Sequence, residues 1–291
     1  MPSENINSNM NKLERDLNKA FCLLNSRKLK GSTDNFLKLI VTDPSYRKNQ
    51  QFDYIAESSD DYKQAIVLFT KIIRREPRHI LSYEMRAYSK LMLRNRKGAL
   101  KDLTKGIALN PDYPLIYVNR ANVKDALGDF MGAIEDATKT IEMFPDFACA
   151  FYVRGRVKLG MFDYEDAIDD YSRAIELNPS YYDAFIGRGK AKLGLENYKG
   201  AVEDCSIGIQ LDPNSRVAYR IRVDARNYLK DYIGVIEDCT KRSELIPWNF
   251  IPIVDRGKAQ AKLENHKEAI EDFNKALVLN PDDYFIYFER A

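Results

Sequence analysis

Arginine and aspartate are the residues of this sequence whose types and spacing could support chemistry. An arginine recurs at one constant interval from Arg86 to Arg290, and an aspartate recurs at the same interval from Asp102 to Asp272. Such charges could line a binding surface or neutralise one another, and unpaired buried charges are costly. We therefore predict that each aspartate pairs with the next arginine of the column along the chain. The predicted pairs are Asp102–Arg120, Asp136–Arg154, Asp170–Arg188, Asp204–Arg222, Asp238–Arg256 and Asp272–Arg290.

No arrangement of catalytic or metal-binding residues accompanies these charges. The stretch GRGKAKLG (187–194) is glycine-rich like a phosphate loop, but it lies inside a predicted helix and no strand precedes it. Neither His79 nor His266 has candidate metal ligands nearby, and the four cysteines contain no Cys-x-x-Cys pair. Cys205 and Cys239 are interpreted as small buried hydrophobes. The sequence thus predicts a protein that is not an enzyme and that binds no cofactor and no metal.

The charge balance disfavours some classes of partner. Lys+Arg number 45 and Asp+Glu number 43, which gives a net charge of +2, too little to attract nucleic acid or a membrane by bulk electrostatics. The N-terminal sequence has no basic segment leading into an apolar core, so no signal peptide is predicted. Nowhere is an apolar run long enough to span a bilayer. These features predict a cytoplasmic protein without a membrane partner.

One period organises most of the chain. Prolines recur at the interval of the arginine column without a slip, at Pro77, Pro111, Pro145, Pro179, Pro213, Pro247 and Pro281. Within one period, the segments 148–159 and 164–177 each carry apolar residues at helical spacing and are separated by a turn. Proline ends the second segment because it lacks the N–H donor that a helix needs. Each period therefore predicts two helices.

Small residues are expected where the two helices of a period cross. Gly155 and Ala167 would meet at one crossing, and Gly189 and Ala201 at the next. A large side chain at such a place would force the two backbones apart.

A helix–turn–helix of about 34 residues with these columns resembles the tetratricopeptide repeat (TPR) family. The resemblance rests on an aromatic residue that opens the first helix, the small residue after each arginine, a turn with tyrosine, the alanine column and the terminal proline. The aromatic residues are Tyr83, Tyr117, Phe151, Phe185 and Tyr219, and the turns are Asp163-Tyr164, Asn197-Tyr198 and Asp231-Tyr232. The match is specific for the fold and says little about the function.

The resemblance divides the chain into repeats. Six full repeats are predicted at 80–113, 114–147, 148–181, 182–215, 216–249 and 250–283. Residues 46–79 are predicted to form a degenerate repeat, and 1–45 an N-terminal helical region that is either a degenerate repeat or a cap. The apolar stretch YFIYFERA (284–291) aligns with PLIYVNRA (114–121) and is predicted to begin a truncated further repeat. It would be explained by a chain that is a fragment of a longer array, or by self-association through the uncapped C-terminal helix.

The resemblance implies an all-α fold, a right-handed α-solenoid (superhelix), in which the first helix of each repeat lines a concave face that holds a partner peptide. Positions on that face vary between repeats, as expected of ligand-facing residues. The predicted partner-binding residues are Tyr88, Asn119, Asn122, Tyr152, Arg156, Asp183, Lys190, Arg220, Asp224, Asn227, Lys258 and Lys262. Val118, Ile186 and Val254 belong to the same variable set. The face becomes more basic from Arg156 onwards, so the expected partner is a protein or peptide segment with acidic residues, held by a non-catalytic scaffold.

Two other functions stay open at this point. An RNA-binding helical-repeat protein is favoured by the basic trend and by Tyr152 and Tyr228, which could stack on bases, and disfavoured by the near-neutral charge. The repeats could also be one arm of a longer multidomain enzyme. A chaperone clamp that grips a C-terminal carboxylate is not predicted, since Asn119 is the one clamp residue of five that this sequence offers.

The repeat 216–249 departs furthest from the common pattern. Val223 and Val235 replace the small residues at the crossing, and Arg242 stands at a normally small position. Overpacking typically costs ~1–3 kcal/mol, so this repeat is expected to be locally looser or bent.

Overall fold

The computed structural model describes residues 59–291, and these residues form fourteen α-helices and no strand. The helices are α1 (Ser59–Arg75), α2 (Ile80–Met92), α3 (Arg96–Leu109), α4 (Pro114–Ala126), α5 (Phe130–Met143), α6 (Ala148–Gly160), α7 (Tyr164–Leu177), α8 (Tyr182–Gly194), α9 (Tyr198–Leu211), α10 (Arg216–Tyr228), α11 (Tyr232–Leu245), α12 (Ile251–Lys262), α13 (His266–Leu279) and α14 (Tyr284–Arg290). We call the even-numbered helices α2 to α12 first helices and the odd-numbered helices second helices. The predicted region 1–45 and the first helix of 46–79 lie outside the described residues.

The chain divides into two compact units, with unit 1 ending at Val153 and unit 2 beginning at Arg154. In unit 1, the helices α1 to α5 pack in chain order, each against its neighbour along the chain. In unit 2, the helices α7 to α14 do the same, and the first helices α8 and α10 also touch directly. Within each unit this is the packing of stacked helix pairs. The prediction of an all-α solenoid of helix pairs is therefore confirmed.

The turn inside a repeat is fixed by a side-chain cap on the second helix. Asn95 and Asp129 precede α3 and α5, and each accepts a hydrogen bond from the backbone N–H of a glycine three residues later, Gly98 or Gly132. A Cβ on either glycine would overlap the capping side chain. The residue before the cap takes the left-handed conformation in each of the six full repeats, with φ between 58° and 83°. The chain therefore reverses within a few residues, and the two helices can lie side by side.

The crossing of the two helices leaves little room for a side chain on the first helix. A Cβ on Gly155 would lie 3.2 Å from the carbonyl oxygen of Ala167, and one on Gly189 would lie 3.3 Å from that of Ala201. The prediction that these small residues let the two backbones approach is confirmed.

In the repeat 216–249, the crossing holds larger residues. Val223 and Val235 are both fully buried, and Cys239 packs in the same core cluster. The short side chain of Cys239 provides some of the space that the two valines need. The looseness expected of this repeat stays a prediction.

Neighbouring repeats of unit 2 match the volumes of their side chains. Tyr171 on α7 is 1% exposed, and its ring lies against Gly187 on α8, where an added Cβ would overlap it. One repeat later the sizes are exchanged, because Cys205 and Ile221 occupy the equivalent positions and pack in one cluster. A large residue on one repeat therefore faces a small residue on its neighbour.

The arginine and aspartate columns pair, but in a register that differs from the predicted one. Arg86 donates from Nε and Nη2 to the two carboxylate oxygens of Asp102, at 2.8 and 2.6 Å. Equivalent contacts join each of the six arginines from Arg86 to Arg256 to the aspartate of its own repeat. These pairs are Arg86–Asp102, Arg120–Asp136, Arg154–Asp170, Arg188–Asp204, Arg222–Asp238 and Arg256–Asp272. The predicted pairing with the arginine of the following repeat is wrong, because each aspartate faces the first helix of its own repeat at the crossing.

In five of the six full repeats, a second basic side chain also lies close to the buried aspartate. The aspartates are only 1–4% exposed. Nζ of Lys90 lies 2.7 Å from Asp102, and Nζ of Lys192 lies 2.8 Å from Asp204. The cations of this second column are Lys90, Lys124, Lys158, Lys192 and Arg226. A buried carboxylate with two basic partners is well compensated, which offsets the cost of its burial.

The arginines also join neighbouring repeats. Nη1 of Arg188 donates to the hydroxyl of Ser172 at 3.1 Å, and Nη1 of Arg222 donates to that of Ser206 at 2.9 Å. Both hydroxyls lie on the second helix of the preceding repeat. Each of these guanidinium groups therefore links its own second helix, through aspartate, to the second helix before it.

The last helix, α14, divides its apolar residues between the core and the solvent. Ile286 is buried in a cluster with Phe273 and Leu277 on α13. Tyr284 and Phe288 are 83% and 78% exposed. The explanations offered for this stretch, a fragment of a longer array or self-association, stay predictions.

Replacing Asp204 with alanine should lower the free energy of unfolding by about 3–5 kcal/mol, because Arg188 and Lys192 would stay at the crossing without their carboxylate. Urea denaturation followed by circular dichroism measures the change. Glu203, exposed on the same helix, is the control, and Glu203→Ala should change the stability by no more than about 0.5 kcal/mol. Equal effects of the two substitutions would contradict the role assigned to the buried aspartates.

Replacing Gly187 with alanine should destabilise unit 2 by about 1–3 kcal/mol, because the added methyl group meets the buried ring of Tyr171. Gly160 is the control, since nothing lies within 4 Å of a Cβ built there. Gly160→Ala should therefore be neutral or stabilising by up to about 1 kcal/mol. Tyr171→Leu, added to Gly187→Ala, should recover part of the loss in thermal unfolding. No difference between the two alanine variants would refute the volume matching.

Candidate functional site

The predicted partner-binding residues all lie on first helices, and none of them is buried. We call the surface that the exposed residues of the first helices form within each unit the first-helix face. Lys190, Arg220, Asn227 and Lys262 are exposed, and the other predicted residues are partly exposed. On α10, Arg220, Asp224 and Asn227 lie at helical spacing on one side of the helix. The structure therefore places these residues where a ligand can reach them, and their role stays a prediction.

Five members of the same variable set are not available to a ligand, and two of them, Glu84 and Val153, are each 2% exposed. Val118 is 1% exposed, and Ile186 and Val254 are each 7% exposed. They belong to the core between the helices, because this edge of each first helix turns towards a neighbouring helix. Helical spacing alone does not show where the core ends and the face begins.

In unit 1, a buried acidic group lies beneath the first-helix face. Glu84 is 2% exposed, and its carboxylate accepts hydrogen bonds from the hydroxyl of Tyr113 and from Nδ2 of Asn119, both at 2.8 Å. The amide of Asn119 therefore holds a neighbouring repeat as well as facing the surface. The sequence indicates that Asn119 lies on this face but contains no sign that it binds Glu84.

In unit 2, the face carries most of the charges. Lys190 on α8 is exposed, and Lys258 on α12 lies 3.2 Å from Glu289 with its amine 4.3 Å from the centre of the Phe285 ring. Asp224 on α10 lies between them in the order of the repeats. Nη1 of Arg220 approaches its carboxylate only to 3.8 Å, which is too long for a hydrogen bond.

Arg242 supports this part of the face from beneath. It is 5% exposed, and its Nη1 donates to Asp255 on α12 at 3.2 Å. Its Nε is buried and has no hydrogen-bond partner in the described part of the chain. Other second helices have a smaller residue at this position, namely Gly106, Thr140, Ala174, Gly208 and Ala276. The sequence marks Arg242 as unusual, and the structure shows that its charge holds an aspartate of the next first helix.

The two aspartates near Arg242 are incompletely compensated. Burial raises the pKa of Asp224 above its ordinary value, Asp255 adds to the rise, and Arg220 and Arg242 oppose it. Burial likewise raises the pKa of Asp255, against the lowering effect of Arg242. A raised pKa means that the charged form costs folding free energy in this environment. Asp224 therefore differs from the buried aspartates of the repeated column, each of which accepts hydrogen bonds from an arginine.

Other chemistry finds little support in the described residues. Burial raises the pKa of the thiols of Cys205 and Cys239 to about 12, so they are poor nucleophiles. Within residues 59–291, no three His, Cys, Asp or Glu side chains form a group that could hold a metal ion. Over the same residues, each helix is too short or too polar to cross a membrane.

Replacing Asp224 with asparagine should raise the stability at neutral pH, by less than about 1 kcal/mol because solvent screens the half-exposed group. The sign follows from the raised pKa. The folded chain binds this proton more readily than the unfolded chain, whose aspartate titrates near about 3.9, so the penalty of the charged form is present at pH 7 and fades as the pH falls through the folded pKa. Urea unfolding of both proteins at pH 7 and at pH 4 measures it. The advantage of the variant should shrink at pH 4, and a constant difference would contradict the prediction. Glu203→Gln is the control.

Two segments of the chain match the family model of the tetratricopeptide repeat, residues 148–181 and 254–283. Among curated proteins, none matches the chain.

Solved structures share the fold at low sequence identity. YrrB, a TPR protein with an unusual peptide-binding site, is 22% identical, with a TM-score of 0.56 over 64% of this chain and 96% of that one. A tetratricopeptide repeat protein from Parabacteroides merdae is 20% identical, with a TM-score of 0.56 over 88% of this chain and 98% of that one. Pseudomonas aeruginosa pilF is 16% identical, with a TM-score of 0.62 over 72% of this chain and 94% of that one. Likeness at these identities shows the fold alone. The family model thus identifies tetratricopeptide repeats in two segments of this chain, and the solved structures show that a larger part of it shares their fold.

Proposed function

We propose that the chain is a non-catalytic scaffold that binds an extended segment of a partner protein on its first-helix face. One observation supports this most directly. On the same helices, the repeated residues are buried or paired inside the fold, whereas most of the variable residues stay accessible. A surface that changes from repeat to repeat offers a different contact to each part of a bound segment. Cytoplasmic placement is part of the same proposal.

The exposed lysines of unit 2 favour a partner with acidic residues. Lys190 and Lys262 lie on the first-helix face, and neither forms an ion pair with any residue of the described chain. The arginines of the repeated column, in contrast, are paired with buried aspartates. Free cations on one face attract acidic segments and set their orientation.

The comparison with YrrB gives independent support. That protein is described as having a peptide-binding site, and it shares its fold with 64% of this chain. Peptide binding by the same kind of helix stack makes a peptide or protein partner the best-supported class for this chain.

RNA binding is less well supported. The ring of Tyr228 is stacked on Tyr198, with centroids 4.5 Å apart and planes 6° from parallel. One face of the ring proposed for base stacking is therefore covered. The net charge of +2 adds little attraction for a phosphate backbone.

Peptides selected from a random library against the full chain test the proposal. We expect dissociation constants in the micromolar range, about −8 kcal/mol, by fluorescence anisotropy. The double substitution Arg156→Glu/Lys190→Glu should weaken binding of acidic peptides at least about tenfold, because it places like charges opposite each other.

The matched control changes the same charge elsewhere. Lys199 and Lys267 are exposed on second helices, so Lys199→Glu/Lys267→Glu should leave the affinity unchanged. Equal losses in the two double variants, or no loss in either, would overturn the placement of the site. Failure to select any peptide would count against the proposed function itself.

A further inference from the structure

Three first helices of unit 2 carry charges of alternating sign at one repeated position. Lys190 on α8, Asp224 on α10 and Lys258 on α12 follow one another at the interval of the repeat. They therefore occupy the same place on successive first helices. Lys190 is exposed, and the side chains of Asp224 and Lys258 are 43% and 37% exposed. The order along the helices is positive, negative, positive.

The negative position is built by more than one residue. Arg242 holds Asp255 at 3.2 Å from beneath, and the charge of Asp255 acts on Asp224. Arg242 is 5% exposed, so a ligand in solvent meets the carboxylates before it meets the guanidinium. Because Arg220 stays 3.8 Å away, the carboxylate of Asp224 keeps acceptor capacity for a cation from a partner.

Two lysines contribute to the positive position on α12. Glu289 and the ring of Phe285 hold the amine of Lys258 in place. Lys262, one helical turn further on, is exposed and adds a second positive charge to the same face. An acidic group that approaches α12 is therefore attracted by Lys262 and by Lys258, whose charge is partly neutralised by Glu289.

The spacing of the helices fixes the spacing of a complementary segment. The first helices α8 and α10 are in direct contact, and packed helices lie about 8–10 Å apart. An extended chain advances about 3.3 Å per residue. Equivalent positions on α8 and α10 therefore match every third residue of an extended segment, and we extend this spacing to α12 because the repeat interval is constant.

We propose that the first-helix face of unit 2 selects an extended partner segment by the order of its charges, acidic, basic, acidic, at every third residue, opposite Lys190, Asp224 and Lys258. The inference rests on the proposed function and adds the charge pattern of the partner to it. The pattern is the same in both chain directions, so it does not depend on the orientation of the bound segment.

Three synthetic peptides of one composition and one net charge test the order. The matched peptide is Glu-Ala-Ser-Lys-Ala-Ser-Glu, and the permuted peptides are Lys-Ala-Ser-Glu-Ala-Ser-Glu and Glu-Ala-Ser-Glu-Ala-Ser-Lys, all with blocked ends. Binding to the full chain is measured by fluorescence anisotropy at low salt. The matched peptide should bind about tenfold more tightly than either permuted one. The preference should fade at high salt, because exposed charges are then screened.

Asp224→Asn links the preference to this residue. The substitution removes one negative charge from the face but leaves Lys190 and Lys258, so the preference for the matched peptide should fall from about tenfold to about threefold. Glu203→Gln removes the same charge from a second helix and should preserve the preference. Because Asp224→Asn is expected to raise the stability, a weaker preference among the three peptides could not be explained by unfolding of the variant.

The outcomes separate the two proposals. Equal binding of all three peptides would refute the charge order and leave the binding function intact. Binding of none of them, while the library peptides do bind, would also refute it. Concentration-dependent association of the chain that masks this face in sedimentation would assign the face to a second copy and overturn the inference.

Discussion

Each second helix of the full repeats buries an aspartate at the point where it crosses its first helix, and the fold depends on neutralising that charge. A buried carboxylate without a partner is among the most destabilising features a protein can hold. An arginine on the first helix bonds both oxygens of the carboxylate, as Arg188 does for Asp204 at 2.9 and 2.8 Å. The planar guanidinium fits this fork in one orientation. The pair therefore fixes the rotation of the two helices about each other as well as their separation.

The same arginines set how one repeat follows the next. A guanidinium has five donors, and the aspartate uses two of them. In unit 2, Arg222 donates a third to Ser206 on the preceding second helix. The serine hydroxyls thus connect neighbouring repeats. How closely two helices approach is decided by the small residues at the crossing and by matched volumes such as those of Tyr171 and Gly187. Because these polar contacts lie inside the fold, the repeated charges are not available to a partner. The residues of the first helices that stay accessible are mostly those that differ between repeats.

The sequence predicts the helix pairs well because proline, small residues and apolar spacing act locally. It does not predict which arginine an aspartate bonds, because the arginine before it and the arginine after it lie at similar distances along the chain and recur with the same period. That choice depends on which neighbour the aspartate faces at the crossing. The predicted site residues are accessible for a similarly local reason, since helical spacing separates the two sides of a helix. Burial at the border of the face, as for Val118 and Ile186, depends on the neighbouring helices and cannot be derived from spacing.

Arg242 shows how a departure from the repeat can carry information about function. From the sequence, a large residue at a small position indicates overpacking. In the structure, the side chain is accommodated by a pair with Asp255, which brings a second carboxylate near Asp224 on the exposed face. Both carboxylates have a raised pKa, so their charged forms cost folding free energy in this environment. Natural sequences that violate a local rule at a cost in stability tend to do so where binding or catalysis requires it. We therefore propose that the divergence of this repeat reflects a binding role of its face, in addition to the packing of its helices.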